Sequence, residues 1–309
     1  MIIDMPRLKN IVRSLINRYF NVGAISREIS KEKFYFRKTQ LEDKILNCVN
    51  PGVSKRKYCP HEIIVSLTTY GRRLQDVCYT IESIMQQTML PNRIVLNLDL
   101  PLEGCVIPIA LQRQKERGLE IVEVEDIRSY EKLIPTLRSN PESVIITIDD
   151  DAIYEFDLIE RLFNSYMSNP DKISALRTHT IIFDDNMMPV SYNAWDMCKD
   201  TADKPFRLFA TGVGGVLYPP HSLADEVFNQ DVFTSICPTA DDVWFHAMAV
   251  LKGTETVRVP ARNPDGCDYI LNEEVQDMGL CTINTGEGGL NDPQIKAVYE
   301  KYGICDLLR

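Results

Sequence analysis

The chain has 309 residues, of which 44% are hydrophobic and 25% charged, with a formal net charge of -10. That length makes one large domain or two ordinary ones. Fifteen Gly and 17 Pro exclude collagen-like and low-complexity chains, and no apolar run approaches the ~18 residues that a membrane-spanning helix needs.

Charge is unevenly placed. Residues 1–60 carry 13 Lys/Arg against 5 Asp/Glu, and the remaining 249 carry 21 against 39. A boundary follows between a basic extension, 1–58, and a main domain, 59–309. Within the extension Leu8, Ile11, Val12, Leu15, Ile16 and Tyr19 recur at helical spacing, with Arg7, Lys9, Arg13 and Arg18 between or beside them. Such a basic amphipathic helix fits an anionic membrane surface or packing on its own domain, and the pattern alone does not separate the two. Nucleic acid is not an expected partner, because the acidic body repels phosphates and no recognition motif is present. The nine cysteines are scattered without a C-x-x-C, which points to reduced thiols rather than a disulfide framework or structural zinc. The start of the chain lacks the apolar segment of a secretory signal. A cytoplasmic protein is expected, with peripheral attachment to the inner face of the plasma membrane if the basic helix is a membrane anchor.

The main domain opens with a short β-rich run ending at Thr68. Leu74, Val77, Cys78, Ile81, Ile84 and Met85 then follow at helical spacing, so the pattern predicts a helix over 74–87 with one buried face. Arg93–Leu98 is a second strand, making a β-α-β unit that favours parallel pairing. Glu120–Val124 is a third strand. Tyr130, Leu133, Ile134 and Leu137 give a short helix, from whose apolar face Lys132 points away and is therefore expected to be exposed. Ser143–Ile148 is the most strand-like run, and Asp157 with Glu160 makes a capping box for the next helix. Short strands are expected at 173–176, 180–183, 213–218 and 256–259.

Three motifs carry chemistry. Asp149, Asp150 and Asp151 follow the strand 143–148. Ligands bind beyond the carboxyl ends of strands in open α/β sheets, and three adjacent carboxylates repel one another unless a cation neutralises them. In an extended chain Asp149 and Asp151 would point the same way, onto one Mg²⁺ or Mn²⁺. The alternative is a solvated acidic turn. Asp241 and Asp242 open a helix behind Thr239, an expected N-cap; a carboxylate there stays ionised near the helix dipole and can act as a general base, or can merely cap the helix. The Gly212–Gly215 cluster permits close backbone approach to a ligand, or a bulge. His179 and His246 read as structural, and Trp195 as a loop or core anchor rather than a sugar platform.

Taken in order, I-I-V-S-L-T-T-Y-G-R-R (63–73), E-K-L-I-P-T-L (131–137), V-I-I-T-I-D-D-D-A-I-Y (144–154), G-G-V-L-Y-P-P (214–220) and A-D-D-V-W-F (240–245) resemble nucleotide-sugar glycosyltransferases of the GT-A fold, of the bacterial family-2-like type, over residues 60–300. The resemblance implies an α/β fold with a mostly parallel central sheet flanked by helices, and an N-terminal helical extension. It implies transfer of a sugar, with inversion, from a nucleoside diphosphate, a UDP-sugar being the first expectation, to a glycan or lipid-linked acceptor. Residue by residue, it implies Thr68, Thr69, Tyr70, Arg73 and Asp99 around the nucleoside and Lys132 and Asp149 on the nucleotide. Asp150, between the motif acids, is counted with Asp149 among the residues that bind the nucleotide sugar, and Asp151 with Asp149 would hold Mn²⁺ or Mg²⁺. Gly214 and Gly215 would form the acceptor-side wall, with Asp242 as catalytic base and Asp241 as the fallback. The chain departs from the pattern in having no histidine after His246 to complete a metal shell. Two alternatives remain: a nucleotidyltransferase, disfavoured by the single Gly71 after the first strand, and a non-catalytic sugar- or nucleotide-binding scaffold.

Overall fold

The computed structural model describes residues 22–308 except 105, 187, 198–203, 264–266, 273, 276–279 and 287. The amphipathic pattern of Leu8–Tyr19 lies outside the described residues. The strands are β1 (Ile63–Thr68), β2 (Arg93–Leu98), β3 (Leu119–Glu123), β4 (Val144–Thr147), β5 (Ala152–Tyr154), β6 (Ile173–Ala175), β7 (Thr178–Thr180), β8 (Asp196–Met197), β9 (Leu208–Ala210), β10 (Val216–Tyr218), β11 (Thr256–Arg258) and β12 (Tyr269–Leu271). The helices are α1 (Val22–Asn47), α2 (Val77–Met85), α3 (Ile109–Glu116), α4 (Ile134–Ser139), α5 (Leu158–Ser168), α6 (Gln230–Ile236), α7 (Asp241–Lys252), α8 (Leu280–Thr285) and α9 (Asn291–Tyr302), followed by a final turn, Ile304–Leu307.

Seven strands form one sheet in the order β11-β6-β10-β4-β1-β2-β3. β1 pairs in parallel with both β2 and β4, β2 with β3, and β6 with β11; β10 alone runs antiparallel, between β4 and β6. The fold is therefore α/β with a mostly parallel central sheet and an N-terminal helix, as expected. Both faces are covered. Ile63, Val65 and Leu67 of β1 and Ile94 and Leu96 of β2 pack with Val77, Ile81 and Ile84 of α2. On the other side Ile145, Val216 and Tyr218 pack with Val243, Trp244 and Ala247 of α7 and Val298 of α9. Burial on both faces explains the near-continuous apolar runs of β1 and β4. From β1 the chain moves to β2 and β3 on one side and later returns to β4 on the other. The gap between the carboxyl ends of β1 and β4 is thus the topological switch point, where α/β sheets place ligands.

Several local expectations are corrected. The helix over 74–87 is a 3₁₀ turn, Gly71–Gln75, followed by α2, and the strand expected at 180–183 forms at 178–180. No capping box forms at α5: Asp157 makes no side-chain cap hydrogen bond, and Glu160 instead accepts from Thr88 Oγ1 at 2.7 Å. Thr239 does not cap α7; Ala240 holds that position, and the Thr239 hydroxyl donates to Asn284 Oδ1 at 2.8 Å. The Glu160 and Thr239 side chains thus take tertiary partners in place of local capping bonds. Trp195 is a core anchor, with its indole N–H on the carbonyl of Val190.

Helix α1 lies against the main body. Its Phe34 and Leu41 are buried with Ile153 of β5, while Tyr79 and Ile270 pack alongside. Among the described residues, no helix is long and apolar enough to cross a membrane.

Candidate active site

The acid triplet follows β4, but the chain turns at Asp150–Asp151 instead of staying extended. Asp149 consequently separates from the other two carboxylates, which share Arg73. Asp149 Oδ1 lies 2.7 Å from Lys132 Nζ. Asp150 is buried and accepts from Thr69 Oγ1 at 2.6 Å and from Arg73 Nη1 at 2.8 Å. Asp151 Oδ2 lies 3.1 Å from Arg73 Nη2, which also donates to the carbonyl of Val275 at 3.0 Å. The bond from Thr69 to Asp150 spans the β1/β4 switch point. Burial pushes the Asp150 carboxyl up to about 6, against the pull of Arg73. Burial opposes the charge on Arg73 too, but Asp150 and Asp151 outweigh it and raise its pKa.

Lys132 is not exposed as the helical pattern predicted. It ends a 3₁₀ turn, Arg128–Lys132, and is 8% exposed. Besides Asp149, its ammonium lies 3.0 Å from Asp241 Oδ2, an atom with no aligned hydrogen bond. Burial disfavours this ammonium, but Asp149, Asp241 and Asp242 more than compensate and hold its pKa well above the usual lysine value. One lysine thus joins the end of β4 to the start of α7, residues that are 92 positions apart. Both carboxylate oxygens of Asp242 accept from the Gly212 amide, at 3.1 Å each. Burial, then the neighbouring Asp241, raises the Asp242 carboxyl above its usual range.

The glycine turn meets this group at Gly212. A Cβ there would lie 2.8 Å from Lys132 Nζ, 3.1 Å from Asp149 Oδ1 and 3.2 Å from Asp242 Oδ1. A Cβ on Gly214 would instead meet Arg177, at 2.5 Å from its Cβ. Gly215 adopts φ +88° and faces Leu158, so a left-handed turn requires glycine there. The Tyr154 hydroxyl ties turn to triplet by accepting from the Asp149 amide at 3.0 Å and donating to the Val213 carbonyl at 3.1 Å. Gly212 and Tyr154 both sit inside motifs read from the sequence, but only the fold shows which atoms they touch.

At the end of β2, Asp99 joins two acids that sequence reasoning did not group with it. Among the described residues, Asp99, Asp126 and Glu131 bring carboxylate oxygens within 4.8 Å of one another, close enough to hold a metal ion. Glu131 is buried, accepts from Thr68 Oγ1 at 2.7 Å and from the Ile127 amide at 3.2 Å, and is pushed up to about 7, chiefly by burial. Thr68 therefore serves this second group, Thr69 serves Asp150, and Tyr70 is 42% exposed with Arg73 stacked near its ring.

Among the described residues, the carboxylates close enough together to share one ion are those of Asp99, Asp126 and Glu131; the acids between β4 and α7 are engaged instead by two cations and a backbone amide. Five carboxylates, Asp149, Asp150, Asp151, Asp241 and Asp242, gather around Lys132 and Arg73, so negative charge is in formal excess. Their hard oxygen donors suit Mg²⁺ or Mn²⁺.

No protein-family model matches the chain, and no curated protein matches it. Among solved structures the chain is similar to the mannosyltransferase PcManGT from Pyrobaculum calidifontis in complex with GDP-Man and Mn²⁺, at 14% identity, covering 82% of this chain and 66% of that one, with a TM-score of 0.41. It is also similar to a CMP:2-keto-3-deoxy-manno-octonic acid synthetase complexed with CTP, at 12% identity, covering 68% of this chain and 93% of that one, with a TM-score of 0.37.

Proposed function

We propose that the chain is a divalent-cation-dependent, inverting glycosyltransferase of the GT-A type. It would move a sugar from a nucleoside diphosphate to an acceptor hydroxyl on a glycan or lipid-linked precursor. The observation that carries this reading is the Lys132 ammonium held between Asp149 and Asp241, with Asp242 anchored beside them on the Gly212 amide. A cation-binding motif, a phosphate-seeking cation and a base-type acid thus converge at the carboxyl edge of a parallel sheet.

In this reading Asp149 and Asp151 hold the ion, which when bound neutralises the departing diphosphate. Lys132 turns from its carboxylates to the phosphates. Thr68, Thr69, Tyr70, Arg73 and Asp99 flank the nucleoside, Asp150 is the buried strut that aims Arg73, and Gly214 and Gly215 shape the acceptor side. Asp242 takes the proton of the incoming hydroxyl. Its raised pKa suits that role, since a general base works best with a pKa near the working pH; Asp241 is the second candidate. The reaction would proceed in the cytoplasm, with α1 and the basic segment before it towards the inner face of the membrane.

The test is turnover of a panel of nucleoside-diphosphate sugars, UDP-sugars first, with Mn²⁺. Asp151→Ala is expected to abolish metal-dependent release of the nucleoside diphosphate. Asp242→Asn is expected to keep the thermal stabilisation by UDP with Mn²⁺ and to lose at least a hundredfold in turnover. Full activity of either variant refutes its assigned role. Consumption of nucleoside triphosphates with pyrophosphate release would identify a nucleotidyltransferase instead, and absence of any metal-dependent stabilisation would leave a binding scaffold.

A further inference from the structure

We propose that α1 is a positioning element for the acid triplet, bracing the turn at Asp150–Asp151 through a latch at Glu274. The inference rests on the functional reading above, because it takes Asp149 and Asp151 of that triplet as holders of a cation.

Two routes connect the helix to the turn. The first is packing. Phe34 and Leu41 of α1 are buried against Ile153, and Ile270 packs on the same cluster. Ile153 lies two residues beyond Asp151, in β5, which pairs antiparallel with β12, opposite Ile270. The pairing extends to the triplet itself, where the Asn272 amide donates to the carbonyl of Asp151 at 2.8 Å. The second route is polar. Tyr35 of α1 donates its hydroxyl to Glu274 Oε1, and Lys38 Nζ lies 3.9 Å from Glu274 Oε2. The backbone of this segment then grips two arginines: Arg72 Nη2 donates to the Glu274 carbonyl at 3.3 Å, and Arg73 Nη2 to the Val275 carbonyl at 3.0 Å. The Arg73 guanidinium ends the relay on Asp150 and Asp151, at 2.8 and 3.1 Å.

Arg73 therefore has three anchors, two carboxylates and one carbonyl, and the carbonyl belongs to a segment whose side chain is tied to α1. Releasing the latch frees that third anchor. The guanidinium can then swing, and Asp151, one of the two acids proposed to hold the ion, is no longer fixed in place. Metal affinity depends on such preorganisation of the residues behind the ligands. Glu274 has a half-exposed side chain, and exposed pairs are individually weak, so the expected effect is moderate and the variants should fold.

The experiment uses the full chain as wild type, Tyr35→Phe, Glu274→Ala and the double variant. Binding of Mn²⁺ alone is followed by the paramagnetic resonance of free manganese, and backbone amide exchange over residues 150–154 is followed without metal. Each single variant is expected to bind Mn²⁺ at least threefold more weakly and to exchange faster over 150–154, with a melting temperature close to wild type. The double variant should be no worse than the singles, because both cut one latch. Manganese binding that is unchanged or tighter, or additive losses that track a fall in melting temperature, would overturn the inference while leaving the functional reading in place. A wild type that binds no manganese would overturn the functional reading, and this inference with it.

Discussion

Gly212 shows how much one side chain decides at this site. The space a Cβ would need is already shared by an ammonium and two carboxylates. The nearest of these, Lys132 Nζ, is the far end of a flexible side chain, so Gly212→Ala should fold but displace the ammonium from Asp149 and Asp241. Transfer activity is expected to drop at least tenfold while the melting temperature stays within a few degrees; an alanine variant with wild-type turnover would show that the ammonium's position is immaterial. His246 makes a different point. Its Nε2 lies 3.0 Å from the Phe206 carbonyl and its Nδ1 2.9 Å from the Tyr299 hydroxyl, and burial lowers its pKa to about 4. As pH falls below the unfolded value of about 6.5, the unfolded chain takes up this proton first, so stability is lost between pH 6.5 and 4. Asp150 and Glu131, raised by burial to about 6 and about 7, act in the opposite sense and favour the folded state on acidification. Comparing wild type with His246→Gln isolates the histidine: between pH 7.5 and 5, wild type should lose about 2 kcal/mol more than the variant in urea denaturation.

At the scale of elements, helix α2 is locked to α3 by charge as well as by apolar packing. Glu82 is fully buried, and its Oε2 accepts from Arg117 Nη1 at 2.7 Å and from Gln114 Nε2 at 3.1 Å. Arg117 follows α3 and also donates to the Asn50 carbonyl at 2.9 Å, so the pair links two helices to the segment after α1. Removing one partner leaves a buried charge uncompensated, which costs about 3–5 kcal/mol. Arg117→Ala should lose that much in urea denaturation, and pairing it with Glu82→Leu should restore part of the loss, because the unpaired charge then disappears. Equal stability of Arg117→Ala and wild type would mean that Glu82 finds water or another donor. The glycine turn is a second such element. Its brief 3₁₀ course, Gly212–Gly214, and the left-handed Gly215 reverse the chain into β10, which is why the one antiparallel strand of the main sheet starts beside the acids.

For the molecule as a whole, the strand order decides where chemistry can occur. β1 and β4 are neighbours although 75 residues separate the end of one from the start of the other, and the chain leaves them in opposite directions across the sheet. Their carboxyl ends therefore form an open corner, filled by residues from β1, β4, the glycine turn and α7. Negative charge is concentrated in that corner by Asp149–Asp151, Asp241 and Asp242, with Lys132 and Arg73 paired against it. The N-terminal helix is not a loose appendage over its described length, since it covers β5 and β12 and buries Phe34, Leu41 and Ile45.

What the amino-acid sequence determined by itself was the α/β class, the first parallel β-α-β unit and the acids that follow the buried strand of β4. Those features depend on local periodicity and on burial of both sheet faces, which are written in contiguous residues. The pairing of Asp149 with Lys132 and Asp241, the turning of Asp150 inward onto Thr69 and Arg73, and the choice of Gly212 as the glycine at the acids were decided only by the tertiary structure. So were the gathering of Asp126 and Glu131 with Asp99 and the loss of the expected helix caps. Each joins groups far apart in the chain, and a hydrogen bond or ion pair of that kind is set by the order of strands in the sheet, which no local pattern of residues encodes.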